Sequence, residues 1–307
     1  SGLALSETLY AARVGASGGG FELHGLAGAT PEGTTIDFDS SRPEFTTDTN
    51  RFFWGVLAEY TSPADCRPYV FFLDQSDNNN ASFGPASEFF YDSSYAGIGA
   101  TGQFTGQWFY NAEIVKEFGE GASNFNFAQT REDIDAWAAR FGITYLPRRA
   151  RRHGCRLGLE VLLATGDDDR SHSANTVGGN TSGTDDEGFN AFGYANTGLA
   201  LAPALSNLLS LRLSASAFPL AGSRPLLRRL RVGVDLFLLS KFDDDAPNNF
   251  TTLPGESFIG TETDLAIEWQ IFSDLHLDIR YGIFVPGGAV PDSDPRHFFY
   301  IGGSYGF

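Results

Sequence analysis

The sequence contains no methionine, only two cysteines, and no long apolar run. A membrane helix needs about 18–20 consecutive apolar residues, so no helical span is expected. Cys66 and Cys155 lie far apart and match neither a zinc nor a haem spacing. They are expected to stay unbonded, because their turns fall several strands apart and a disulfide needs Cα atoms within about 7 Å. Basic residues are also scarce, 21 against 38 acids, for a formal charge of −17. Phosphate backbones require concentrated positive charge, which excludes nucleic acid as a partner. Without a methionine, Ser1 is not expected to be a translation start, and processing or a longer parent chain is expected.

Aromatic residues, by contrast, are abundant: 28 Phe, 11 Tyr and 4 Trp make up 14% of the 307 residues. Mean hydropathy is nevertheless slightly negative. A transmembrane β-barrel reconciles the two, since its strands show apolar groups to lipid and polar groups to a wet lumen. The alternation is explicit between Arg229 and Lys241. There Leu230, Val232, Val234, Leu236 and Leu238 form one face, and Arg229, Arg231, Gly233, Asp235 and Lys241 the other. It recurs in Thr263, Leu265, Ile267, Trp269 and Ile271 against Glu262, Asp264, Glu268 and Gln270. It recurs again in Leu277, Ile279, Tyr281 and Ile283 against His276, Asp278 and Arg280. Such segments are about ten residues long, which suits a tilted membrane crossing.

Short connections (61–67, 221–225 and Ser273-Asp274) alternate with long polar ones (30–50, 75–94, 119–132, 166–206, 243–259 and 287–296). Barrels of this kind have short periplasmic turns and long external loops. Counting gives about 13 antiparallel strands in a single barrel unit over 1–307, centred from Ala11 to Ile301. An odd count with the last strand ending in the periplasm starts the first strand outside the cell. Further N-terminal strands, or strands of a second chain, are therefore expected to complete the barrel. Trp54, Trp108, Trp269, Tyr281 and Phe307 fall on apolar faces and are expected to meet lipid.

The terminal strand, with Tyr300, Tyr305 and a final Phe307, resembles an outer-membrane assembly signal. Three stretches resemble the bacterial alginate-export family: Gly260-Thr261-Glu262-Thr263-Asp264-Leu265, then Tyr281 through Gly288, and Tyr194 through Asn207 to Pro219 with a basic turn after it. The likeness covers roughly the last 120 residues and is architectural before that. It implies an outer-membrane barrel of about 18 strands that carries an anionic polysaccharide outward through an arginine-rich pore, with about five strands beyond those counted here.

Alternation assigns a pore-lining face. Its basic candidates are Arg13, Arg51, Arg140, Arg156, Arg212, Arg229, Arg231, Lys241 and Arg280. Its acidic candidates are Glu7, Glu22, Glu59, Glu113, Glu160, Asp235, Glu262, Asp264, Glu268 and Asp278. Two readings stay open: a charged path that selects ions, or charges that pair across strands and hold the wall. A net acidic lumen would repel an anionic polymer. Arg148, Arg149, Arg151 and Arg152 form a basic periplasmic rim. Asp167, Asp169, Asp243 and Asp245 mark acidic external loops, where calcium is the one cofactor to consider, although ordered calcium-loop spacing is lacking. His24 near Glu22 and His276 near Asp278 are flank neighbours on a strand, not triads, and no enzyme is expected. The function expected is a conduit for hydrophilic solutes, with anionic saccharides the class in view. The alternative is a plugged structural barrel anchoring a surface or periplasmic assembly, which an inward-folded loop would favour.

Overall fold

The computed structural model describes residues 3–5, 9–30, 51–62, 65–77, 91–123, 130–147, 154–170, 180–192, 195–223 and 226–306. Thirteen strands follow one another: β1 (Tyr10–Gly18), β2 (Phe21–Ala29), β3 (Arg51–Tyr60), β4 (Cys66–Asp77), β5 (Tyr91–Thr105), β6 (Trp108–Ala122), β7 (Arg131–Tyr145), β8 (Arg156–Ala164), β9 (Leu208–Ala217), β10 (Leu230–Ser240), β11 (Phe258–Gln270), β12 (Leu275–Pro286) and β13 (Arg296–Tyr305). Each pairs antiparallel with its chain neighbours, in the order β1 to β13. The strand number is the one expected, with the expected first and last centres, Ala11 and Ile301, inside β1 and β13.

Two faces follow from the register, because cross-strand partners point to the same side. On β10 and β11, Val232 faces Ile267, Val234 faces Leu265 and Leu236 faces Thr263, with Val232, Leu236 and Leu265 exposed. Their alternates Arg231 and Glu268, Asp235 and Asp264, and Phe237 and Glu262 are the pairs on the inner face. The outer face therefore exposes large apolar groups from end to end, including Val14, Leu23, Trp54, Ile98, Ile114, Leu213, Phe299 and Ile301. In water this band would be an aggregation surface; in hydrocarbon it is the favourable one. Trp54 and Trp108 lie on it exposed, Trp269 and Tyr281 lie on it half-covered, and Phe307 is outside the described residues.

The connections after odd-numbered strands share one rim and those after even-numbered strands share the other. Several boundaries differ from expectation: β4 runs on to Asp77, β5 already begins at Tyr91 and β11 at Phe258. β6 and β7 run on through Gly119–Ala122 and Arg131–Glu132, which shortens that loop to 123–130, because glycines at 119 and 121 pair within the ladder opposite Ser93 and Tyr91. The turn between β9 and β10 occupies 218–229, longer than expected and closed by hydrogen bonds such as Ser223 N–H to the Leu220 carbonyl at 2.9 Å. Cys66 and Cys155 are both free.

A core exists on the inner side, near the long-loop rim. In the connection between β8 and β9, the described residues 165–170, 180–192 and 195–207 fold over the inner face, and Phe189, Phe192, Leu205 and Asn207 are buried there. Phe192 packs edge-on against Phe53 at 5.2 Å and Tyr95 at 6.1 Å. Leu3 and Ala4 join it, with the Phe192 N–H donating to the Ala4 carbonyl at 2.9 Å. This packing explains how inward positions on β3 to β7 come to be apolar: they meet the loop, not water.

Candidate functional site

Fifteen inward candidates lie on the one inner face: Arg13, Glu22, Arg51, Glu59, Glu113, Arg140, Glu160, Arg212, Arg231, Asp235, Glu262, Asp264, Glu268, Asp278 and Arg280. Arg156 joins them through its partner Ser216. They do not form one cluster. Arg13, Glu22, Arg51 and Glu59 belong to β1–β3, where His24 sits 3.5 Å from Glu22, Arg67 sits 3.9 Å from Glu59, and Arg51 lies buried with its guanidinium 5.1 Å from the Phe192 ring. Glu113 accepts from the Tyr69 hydroxyl at 2.5 Å.

From β7 to β12 the charges form a relay across the wall. Arg140 Nε donates to Glu160 at 2.8 Å, and Glu160 lies 3.6 Å from Arg212, which reaches Asp235 at 2.9 Å. Arg231 bridges Glu268 at 3.0 Å and the Ser216 hydroxyl at 3.1 Å, while Arg280 holds Asp278 at 2.9 Å. Such part-exposed pairs contribute roughly 0–1 kcal/mol each. They border a cavity of about 810 Å³ whose opposite wall is loop residues Asn196, Gly198 and Leu199. An arginine carries five N–H donors, and these contacts use one or two of them; Arg140, Arg156, Arg212, Arg231 and Arg280 all line the cavity.

The loop crosses this space between two carboxylates. On β6, buried Glu117 accepts the Asn190 N–H at 2.7 Å and the Tyr91 hydroxyl at 2.7 Å. The Tyr95 hydroxyl sits between Glu117 (2.9 Å) and the Asn190 carbonyl (2.7 Å). On β11, Glu262 Oε1 accepts from the Leu199 and Ala200 N–H groups at 2.5 Å each, and Oε2 from Leu201 N–H at 3.0 Å. Gly198 makes that approach with φ +126, and a Cβ there would stand 2.6 Å from Glu262. Glu262 therefore holds the loop and is not an open lumenal charge, a correction to its sequence assignment; its oxygens accept from three backbone N–H groups, and the strand alternation carries no sign of them.

Further ties hold the loop ends. Buried Arg170 reaches Asp167 at 3.3 Å and also Asp186. Asp186 pairs by its backbone with Asp133 (2.7 Å) and Asp135 (2.9 Å) of β7. Burial pushes the Asp167 carboxyl up to about 6 against the opposing pull of Arg170. For Arg170 burial acts downward, but Asp186 and Asp167 hold it above its ordinary value. Asn207 accepts from Phe242 and Asp243 N–H at 3.0 and 2.8 Å and donates to the Ala246 carbonyl at 2.8 Å, joining this loop to the next.

Other placements depart from expectation. Lys241 lies just past β10, buried, with its ammonium on the Asp244 and Leu253 carbonyls; burial lowers its pKa despite three nearby aspartates, and it does not line the cavity. Arg229 lies in the turn before β10. Asp167, Asp168 and Asp169 bring carboxylate oxygens within 4.8 Å of one another, but Asp167 also accepts from the Asp169 N–H and Arg170. Asp243 caps its own turn through the Asp245 and Ala246 N–H groups. Glu7, Arg148, Arg149, Arg151 and Arg152 lie outside the described residues. Glu117, Tyr91, Tyr95 and Arg170 escaped the sequence reading, although Glu113, Val115 and Glu117 alternate and so share a face.

The family model for alginate export matches residues 35–304. Among solved structures, Pseudomonas aeruginosa OccK11 (OpdR) superposes with a TM-score of 0.56 at 13% identity, covering 97% of this chain and 71% of that one. OccK8 (OprE) gives 0.56 at 12% identity, covering 96% and 70%. The outer membrane protein OprD, from the same organism, gives 0.55 at 14% identity, covering 95% and 67%. At these identities the likeness shows the fold. No curated protein matches the sequence.

Proposed function

Since the chain belongs to the alginate-export family of the bacterial outer membrane, we propose that its inner face conducts hydrophilic solutes, anionic saccharides in particular, past a built-in constriction. The observation that carries this reading is the relay of arginines and carboxylates bordering the 810 Å³ cavity beneath the 165–207 loop. Arg140, Arg156, Arg212, Arg231 and Arg280 offer guanidinium donors to a sugar carboxylate, while Glu160, Asp235, Asp264, Glu268 and Asp278 balance them. A balanced wall lets a charged sugar exchange one partner for another without trapping it, as rings of fixed charge do in selective pores. Arg13, Glu22, Arg51, Glu59 and Glu113 belong to the remaining inner wall.

The passage needs a closed wall. Among the described residues β1 pairs only with β2 and β13 only with β12, and both run in the same direction. An antiparallel closure therefore takes an odd number of additional strands, from the same polypeptide or from another. Open edges in hydrocarbon leave backbone groups unsatisfied at several kcal/mol each.

A second reading is favoured by the loop itself: tethered at Glu117 and Glu262, it suits a plugged barrel that anchors a partner. Liposome swelling distinguishes the two. Entry of small uronate oligomers supports conduction, and exclusion of every sugar, neutral or acidic, supports the plug.

A further inference from the structure

The outer face contains one feature that solute conduction does not use. Where β4, β5 and β6 run side by side, a depression of about 510 Å³ opens toward the membrane. Its floor is a cross-strand row of small side chains, Pro68 opposite Ala100 and Ala100 opposite Ala112. One wall is the next row, Val70, Ile98 and Ile114, all exposed on the outer face. Another is the Phe21–Tyr60 ring pair, 4.6 Å between centroids. On the opposite side of the sheet, Tyr69 and Phe71 lie over Gly99 and Gly97, where an added Cβ would collide with the rings. That packing fixes the backbone under the floor from inside.

The depression has a definite depth in the membrane. It lies toward the short turns, hence toward the periplasmic leaflet. The neighbouring positions on that side are aromatic: Phe104 stacks on Tyr110 at 4.6 Å and Trp108 meets Tyr145 at 4.5 Å. Aromatic girdles mark the headgroup level, so the depression begins just inside the hydrocarbon. Its outward-pointing side chains carry no charge, and Tyr60 supplies their one hydroxyl.

We propose that this depression binds an acyl chain of an inner-leaflet glycerophospholipid. The outer face is already the bilayer interface, and the depression is continuous with it. The occupant must be apolar and must fill a recess between ridges. The smooth wall of a second barrel would span the recess without filling it, whereas a flexible chain enters it. A volume near 510 Å³ also falls within the roughly 300–1,000 Å³ typical of small-molecule pockets. Glu59 and Glu113 border the depression from strand positions whose side chains point to the inner face, so its outward side chains are uncharged and recognition is of chain shape and not of headgroup. The inference rests on outer-membrane placement and is independent of what the lumen carries.

The test is photolabelling of the full protein in liposomes containing a phosphatidylethanolamine with a diazirine midway along one acyl chain. Adducts mapped by peptide mass spectrometry should concentrate several-fold on Pro68–Val70, 98–100 and 112–114 relative to the open lipid face at Leu213 and Leu236. The double substitution Ala100→Phe/Ala112→Phe should reduce that labelling to the level of the open face, while Ala27→Phe on β2 should leave it unchanged. Uniform labelling of the wild-type outer face, or equal labelling in the filled variant, would each overturn the proposal. The wild-type map decides the matter even where the double variant fails to assemble.

Discussion

Glu262 on β11 lies 2.5 Å from the backbone nitrogens of both Leu199 and Ala200, so one wall carboxylate holds the tip of the loop that crosses the lumen. Replacing Glu262 by Gln retains the shape but turns one acceptor into a donor facing N–H groups. The loss of charge-assisted bonds to buried donors costs roughly 1–3 kcal/mol locally. Hydrogen exchange at 199–201 should speed up by one to two orders of magnitude, with barrel assembly unchanged by heat-modifiability on gels. Unaltered exchange would place the anchor elsewhere.

The paired arginines set the second expectation. Arg212→Gln with Arg231→Gln leaves Glu160, Asp235 and Glu268 without these partners. Lumenal substitutions tune selectivity, while lipid-face ones destabilise. Reversal potentials across a salt gradient should shift toward cations, with assembly intact. An unchanged potential would mean that the relay holds the wall and lies off the permeation path.

Acidity should tighten the loop. The Asp167 carboxyl, raised by burial from its ordinary 3.8 to about 6, binds a proton more tightly in the folded loop than in the free chain. Its contribution is therefore fully present below about pH 4 and is lost as pH rises through 6, an effect of at most about 3 kcal/mol by linkage. Hydrogen exchange of residues 167–170 and 186–190, corrected for intrinsic rates, should show more protection at pH 4.5 than at 7. Asp167→Asn should flatten that dependence; the opposite slope would contradict the burial of this carboxyl.

The open edges yield a cross-linking expectation. Cysteines at Val14 and Gly25, direct partners on β1 and β2, should oxidise to a disulfide, since cross-strand Cβ atoms lie about 4.5–5.5 Å apart. Cysteines at Val14 and Ile301, on β1 and β13, should not. Efficient bonding of the second pair would mean that the two strands are neighbours and that no further strand lies between them.

Strand number, order and facing were legible because a period-two pattern fixes which side chains share a face, and one residue of slip inverts them all. Arg140, Glu160, Arg212 and Asp235 were found together for that reason. The anchoring of the loop between β8 and β9 was not legible. Its ties run through backbone groups of Asn190, Leu199 and Ala200, and any sequence carries those groups at every position. Glu117 follows the alternation of Glu113 and Val115 yet was not singled out; only the burial of Tyr91 and Tyr95 beside it marks it as an anchor. Glu262 was placed on the correct face with the wrong surroundings, since alternation says where a side chain points and not what has folded over it.

The central claim is that a solute path runs past a fixed constriction, and single-channel recording in planar bilayers tests it most directly. Wild-type protein should give discrete openings, and the variant Glu117→Ala/Glu262→Ala, which releases both anchors, should give larger or noisier ones. A silent wild type together with a silent variant would contradict the account and leave a sealed barrel in its place.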